Sequence, residues 1–181
     1  MQAICVFCSS RNEIHPEYFT AAREVGHELG RRRLDLIYGG ATVGLMGEIA
    51  RSVHEHSGRV IGVIPEKLRD VEIAYTDADE LIVTSGMRER KAEMAERADA
   101  FLILPGGFGT MEEAFEMITQ QHLGYQNKPV VFLDTNDFFT PLKTLFDHII
   151  GENFASKSAC NYYQFVQKPA EAFAIFDNLT R

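Results

Sequence analysis

Two adjacent pairs of charged residues and two glycine-rich turns are the groups in this sequence best suited to chemistry. Arg90-Lys91 lies within Met87-Arg88-Glu89-Arg90-Lys91, and Glu112-Glu113 within Thr110-Met111-Glu112-Glu113. Adjacent carboxylates suit a site where positive charge develops, such as the oxocarbenium-like sugar of a glycosyl transition state. Thr110 and Glu113 also fit the S/T-x-x-E capping box, with Thr110 as N-cap and Glu113 at the third helical position. At roughly 100° per residue, Met87, Met94, Ala95 and Ala98 share one face of a helix. Lys91 falls in the middle of that face and Arg90 on its flank. A buried cation needs an anionic partner or a route to water. The pattern leaves open whether these cations meet a ligand, or whether Lys91 reaches solvent and Arg90 pairs with a carboxylate.

The glycine turns are Tyr38-Gly39-Gly40-Ala41-Thr42-Val43-Gly44-Leu45-Met46-Gly47 and Leu104-Pro105-Gly106-Gly107-Phe108-Gly109-Thr110. Each follows a short apolar run and precedes a helical one. Glycine lets a ligand approach the main chain, and the N–H groups at a helix N-terminus favour an anion. Two such turns favour phosphate binding over tight turning alone. Neither has the G-x-G-x-x-G dinucleotide spacing nor a G-K-[ST] ending, so a smaller nucleotide is expected.

The elements that must position these residues alternate from end to end. Strands are expected at Ala3–Phe7, Leu34–Tyr38, Arg59–Ile64, Glu80–Thr84, Ala100–Leu104 and Pro129–Leu133. Helices are expected at Pro16–Arg33, Leu45–His56, Met87–Ala98, Thr110–Leu123, Phe139–Ile150 and Pro169–Leu179. Short continuous apolar strands between helices indicate a parallel sheet covered on both faces. The fold class is α/β, a doubly wound Rossmann-like sheet in one domain over residues 1–181. Residues 65–79 form the longest irregular stretch, and such loops are often functional.

Composition narrows the function. The chain has 181 residues, 45% of them hydrophobic and 24% charged, the balance of an ordinary globular protein. Its 26 acidic and 18 basic residues give a net charge of −8, which argues against a polymeric nucleic-acid partner. Arg31-Arg32-Arg33 reads as a solvated helix end. No apolar run approaches the ~20 residues of a membrane span. The start MQAICVFC reads as a strand, without a basic region of the signal-peptide kind. Cys5, Cys8 and Cys160 suit free structural thiols in a reducing cytoplasm, and the scattered histidines suggest no metal site. Ser9 and Ser10 follow the first strand and could touch a ligand.

The sequence resembles the "lonely guy" family of cytokinin-activating phosphoribohydrolases, many of whose bacterial members were labelled possible lysine decarboxylases. Met87-Arg88-Glu89-Arg90-Lys91 and Pro105-Gly106-Gly107-Phe108-Gly109-Thr110-Met111-Glu112-Glu113 carry the resemblance, supported by Cys5-Val6-Phe7-Cys8-Ser9-Ser10 and the Tyr38–Gly47 turn. It implies hydrolysis of N6-modified adenosine monophosphates, or of AMP, to free base and ribose 5-phosphate, with no cofactor and no metal. It implies a catalytic pair, Arg90 with Glu113. It implies substrate contacts from Glu72, Arg90, Lys91, Gly106, Gly107, Phe108, Gly109, Thr110 and Glu112; the first turn adds Gly39 and Gly40. It implies a homodimer with its active site close to the interface. Arg88 stands where the family usually has histidine, and the first-strand loop lacks the usual glycine before its serines. The alternatives are a nucleotide-binding protein without turnover and a pyridoxal-phosphate lysine decarboxylase. For the latter no lysine stands out, and the chain is short for that cofactor's usual folds.

Overall fold

The computed structural model describes residues 1–69 and 74–178. Seven strands form one all-parallel sheet: β1 (Ala3–Phe7), β2 (Asp35–Tyr38), β3 (Val60–Pro65), β4 (Glu80–Thr84), β5 (Ala100–Ile103), β6 (Val130–Leu133) and β7 (Gln164–Val166). The helices are α1 (Pro16–Arg32), α2 (Gly44–Glu55), α3 (Glu66–Arg69), α4 (Met87–Arg97), α5 (Phe108–His122), α6 (Thr140–Gly151) and α7 (Pro169–Asn178).

Alternation along each strand feeds two cores. In and just beyond β1, Ile4, Val6 and Cys8 join the buried cluster under α1, α2 and α7, while Ala3, Cys5 and Phe7 join the one under α4 and α5. Both sets are buried, as a doubly covered parallel sheet requires. At the end of α1, Arg33 adopts the left-handed conformation (φ 55°) and stops the helix. The basic cluster there is not merely solvated. Arg32 binds Asp177 of α7 at 2.7 Å and Glu28 at 2.9 Å, and its guanidinium lies 5.0 Å from the centre of the Phe173 ring.

The strand order β4-β3-β2-β1-β5-β6-β7 reverses direction between β1 and β5. Open α/β sheets hold ligands at such a point, outside the carboxyl ends of the strands. The two chains leaving β1 and β5 stay joined for two more residues, through Leu104 N–H to Phe7 O (2.9 Å) and Ser9 N–H to Pro105 O (3.2 Å). They part after that, and the crevice opens.

Two elements escape the periodicity. β7 is three residues long, held on β6 with Phe165 stacked 4.8 Å from Phe132. α3 is a single turn inside the stretch expected to be irregular. The start of α5 differs in a way that matters for function. The helix begins at Phe108, two residues before the expected Thr110, with Gly107 as its N-cap.

Candidate functional site

Arg90 is buried, with 6% of its surface exposed, and Met94 one turn on is fully buried. The inward face of α4 is therefore centred one residue earlier than the apolar pattern suggested. Lys91 sits at its edge, and Met87 is 44% exposed. Two strand-end carbonyls hold the guanidinium: Nε donates to Val63 O at 3.1 Å and Nη2 to Gly39 O at 3.2 Å. A Cβ on residue 39 would stand 2.2 Å from Arg90 Nη2 and 2.7 Å from the Met46 sulfur. Gly39 is thus glycine to make room for a cation. Gly40, at φ 78°, turns the chain behind it and packs on Gly62 of β3.

The capping box expected at Thr110 and Glu113 is absent. Because Gly107 is the N-cap, Thr110 is already the third helical residue, and its buried side chain lies over Gly106, where a Cβ would meet Oγ1 at 2.2 Å. Glu113 is 9% exposed and turns into the protein, not back to the cap. Among the described residues no side-chain hydrogen bond caps α5. The N–H groups of Phe108, Gly109 and Thr110 precede the first bond of the helix, Met111 N–H to Gly107 O at 3.0 Å. A Cβ on Gly107 or Gly109 would meet nothing within 4 Å. Such a helix start has the geometry that suits an anion.

The first glycine turn differs. There Gly44 N–H donates to Asn12 Oδ1 and Leu45 N–H to Ser9 O, both at 2.9 Å. The start of α2 is filled by the loop after β1, so the two turns do different work. One seats Arg90 and packs the loops, and the other leaves its donors open.

Arg90 and Glu113 line one cavity of about 340 Å³, together with Gly39 and Gly107 to Thr110. The Cys8–Arg11 loop closes one side. Met46, Leu68, Met87 and Met94 give it an apolar wall. Nothing in the sequence separates those side chains from ordinary core residues. Arg11 brings a second, exposed cation to the mouth, paired with Glu13 at 3.4 Å; its place after the first strand was the only available signal. Lys91 and Glu112 do not line the cavity; they bind each other on its outer side. Gly106 borders a smaller neighbouring cavity of about 220 Å³. Glu72 lies outside the described residues. Among the described residues no cluster of three His, Cys, Asp or Glu could hold a metal ion, and no helix is long and apolar enough to cross a membrane.

Cys5 and Cys8 are buried beside this site as free thiols. Burial pushes both up, the Glu113 carboxylate pushes them further, and the Arg90 guanidinium pulls part of the way back. Both charges are therefore felt at one place, and both thiols stay protonated and inert at neutral pH. A thiol reagent at pH 8 should label only the exposed Cys160 in the folded protein, and all three cysteines in denaturant. Rapid labelling of a second thiol without denaturant would contradict this arrangement.

A family model described as "Possible lysine decarboxylase" matches residues 46–176. The cytokinin riboside 5′-monophosphate phosphoribohydrolase LOG7 of Arabidopsis thaliana is 42% identical over 184 residues, spanning 98% of this chain and 85% of that protein. LOG2 of the same plant is 45% identical over 156 residues, spanning 86% of this chain and 73% of that protein. The molybdenum cofactor carrier protein of Chlamydomonas reinhardtii shares the fold, with a TM-score of 0.77 at 21% identity over 99% of this chain and 98% of that one. On the family match and the identity to curated members, this chain belongs to the family described as possible lysine decarboxylase, whose matched relatives are named phosphoribohydrolases.

Proposed function

We propose that this protein hydrolyses the N-glycosidic bond of adenosine-type nucleoside 5′-monophosphates, AMP or its N6-modified forms, giving free base and ribose 5-phosphate. The observation that carries the reading is a buried arginine and a buried glutamate meeting in one cavity at an uncapped helix N-terminus. Membership of a family whose matched relatives bear that activity in their names supports it.

In this reading the 5′-phosphate lies on the N–H groups of Phe108, Gly109 and Thr110, where the dipole of α5 favours negative charge. The open space at Gly107 and Gly109 lets it come close to the backbone. The ribose then lies over Glu113, one turn further into the helix. As the C1′–N9 bond breaks, its electron pair leaves with the base and the sugar becomes oxocarbenium-like. Glu113 stabilises that cation and takes a proton from the water that adds to C1′, and the departing base takes up a proton from solvent, so that one water is consumed as free base and ribose 5-phosphate form. A guanidinium serves as a fixed hydrogen-bond donor and not as a proton source, so the role of Arg90 is electrostatic. Two of its five N–H donors are committed to Val63 and Gly39. Those remaining on the Nη atoms stabilise charge on the departing base. The methionine wall suits a flat base of variable substitution, because methionine adapts its shape.

The same reading includes a homodimer in a reducing cytoplasm. Phe108, at the mouth of the cavity, is 96% exposed, and Leu123 and Tyr125 at the other end of α5 are also uncovered. Large exposed apolar groups beside a site support a partner that covers them. The free thiols support the compartment. Light scattering at micromolar protein should give twice the 20.4 kDa of the chain, and a mass near 20.4 kDa would contradict the pairing.

Glu113→Gln keeps shape and removes charge. Its kcat should fall by at least about a hundredfold, the scale of losing one preorganised electrostatic contact, while the melting temperature hardly moves. Full activity in a folded Glu113→Gln protein would remove Glu113 from the chemistry.

A further inference from the structure

Resting on the hydrolytic reading above, we propose that Lys91, held between Glu112 and Glu116, is a positioning residue that locks α4 against α5 so that Arg90 and Glu113 meet in one cavity. Lys91 Nζ binds the carboxylates of Glu112 and Glu116, which lie one turn apart on α5. The lysine side chain is 16% exposed and the glutamates 55% and 32%, so the contact sits at the rim of the protein and not inside the cavity. With two carboxylates around one ammonium the group carries a net negative charge. That net charge disfavours a phosphate beside the group. Burial works against the charge on Lys91, but the two glutamates carry its affinity for the proton above the usual lysine value.

The geometry makes this contact consequential. Neighbouring residues on a helix point about 100° apart. In each dipeptide, Arg90-Lys91 and Glu112-Glu113, one residue faces the cavity while the other reaches sideways to the neighbouring helix. Fixing Lys91 on Glu112 and Glu116 therefore fixes the rotation and height of both cavity residues at once. Deeper in the protein Met94 of α4 shares a buried apolar cluster with Ala114 and Met117 of α5, but apolar packing fixes rotation less sharply than an ion pair. At the far end Lys128, beyond α5, donates to Ala95 O of α4 at 2.6 Å. Lys91 holds the end that bears the site.

The test compares Lys91→Met, Glu112→Gln/Glu116→Gln, the triple variant and Lys91→Arg, each checked for folding by its thermal melt. With AMP as substrate, Lys91→Met and the double glutamine variant should each lose about tenfold or more in kcat, as small misplacements of catalytic groups do, with KM within about twofold of the wild type. The triple variant should lose no more than either, and Lys91→Arg should recover most of the loss. A raised KM with intact kcat in Lys91→Met, beside a silent double glutamine variant, would make Lys91 a substrate ligand and overturn the proposal. So would losses that add in the triple variant, or wild-type kinetics throughout. Hydrogen exchange at the amides of residues 108–116 reads the clamp without turnover. Exchange should quicken equally in Lys91→Met and the double glutamine variant, and unchanged exchange overturns the clamp. A wild-type protein that exchanges as expected but cleaves no nucleoside monophosphate overturns the activity instead.

Discussion

Taking the guanidinium of Arg90 out of water is the costliest arrangement in this site, and much of the local structure accommodates it. Desolvating a cation costs several kcal/mol unless polar groups replace its hydration. Here the replacement is the carbonyl edge of the parallel sheet, at Val63 in β3 and Gly39 just beyond β2. That edge is available because parallel strands end together on one side. Residue 39 must then be glycine, because any side chain would occupy the place of the guanidinium. The cation lies fixed before a ligand arrives, and such preorganisation lets a polar group act without a reorganisation penalty.

The second half of the site depends on what the sheet leaves unfilled. α2 and α5 both start at glycine-rich turns on the same sheet edge, and both offer N–H groups there. The loop after β1 takes up two of those of α2, Gly44 and Leu45, through Asn12 and Ser9. It also bonds to the turn before α5, at Pro105, yet leaves the first turn of α5 uncapped. One loop thus closes one helix start and leaves the other as the wall of a cavity. The place where the loops from β1 and β5 part decides which of two similar turns keeps its N–H groups open to the cavity.

Much of this was legible in the sequence because the relevant signals are local. Continuous apolar strands separated by helical runs gave the parallel sheet, and glycine before Phe108 and Thr110 marked a turn that lines the cavity. The misreadings also have physical causes. Arg90 and Lys91 exchanged places because α4 has a narrow apolar face, and an exposed Met87 shifted its apparent centre by one residue. Thr110 looked like an N-cap because its hydroxyl is of the right type, but the extended backbone at Gly107 starts the helix earlier. β7 is too short for its period to register, and its place depends on aromatic contacts with β6. The methionine wall could not be told from core, since a cavity lining and a packed interior use the same residues.

The central claim is that the open start of α5 holds a 5′-phosphate while Arg90 and Glu113 break the bond between sugar and base. Binding energy spent on a remote phosphate commonly appears as rate at the reacting bond. Chromatography of the products formed from AMP and from adenosine under the same conditions tests this most directly. AMP should yield adenine and ribose 5-phosphate without inorganic phosphate. Adenosine should be cleaved at least about a thousandfold less efficiently, equivalent to ~4 kcal/mol of transition-state stabilisation. Equal cleavage of adenosine and AMP, or release of phosphate in place of adenine, would contradict the account.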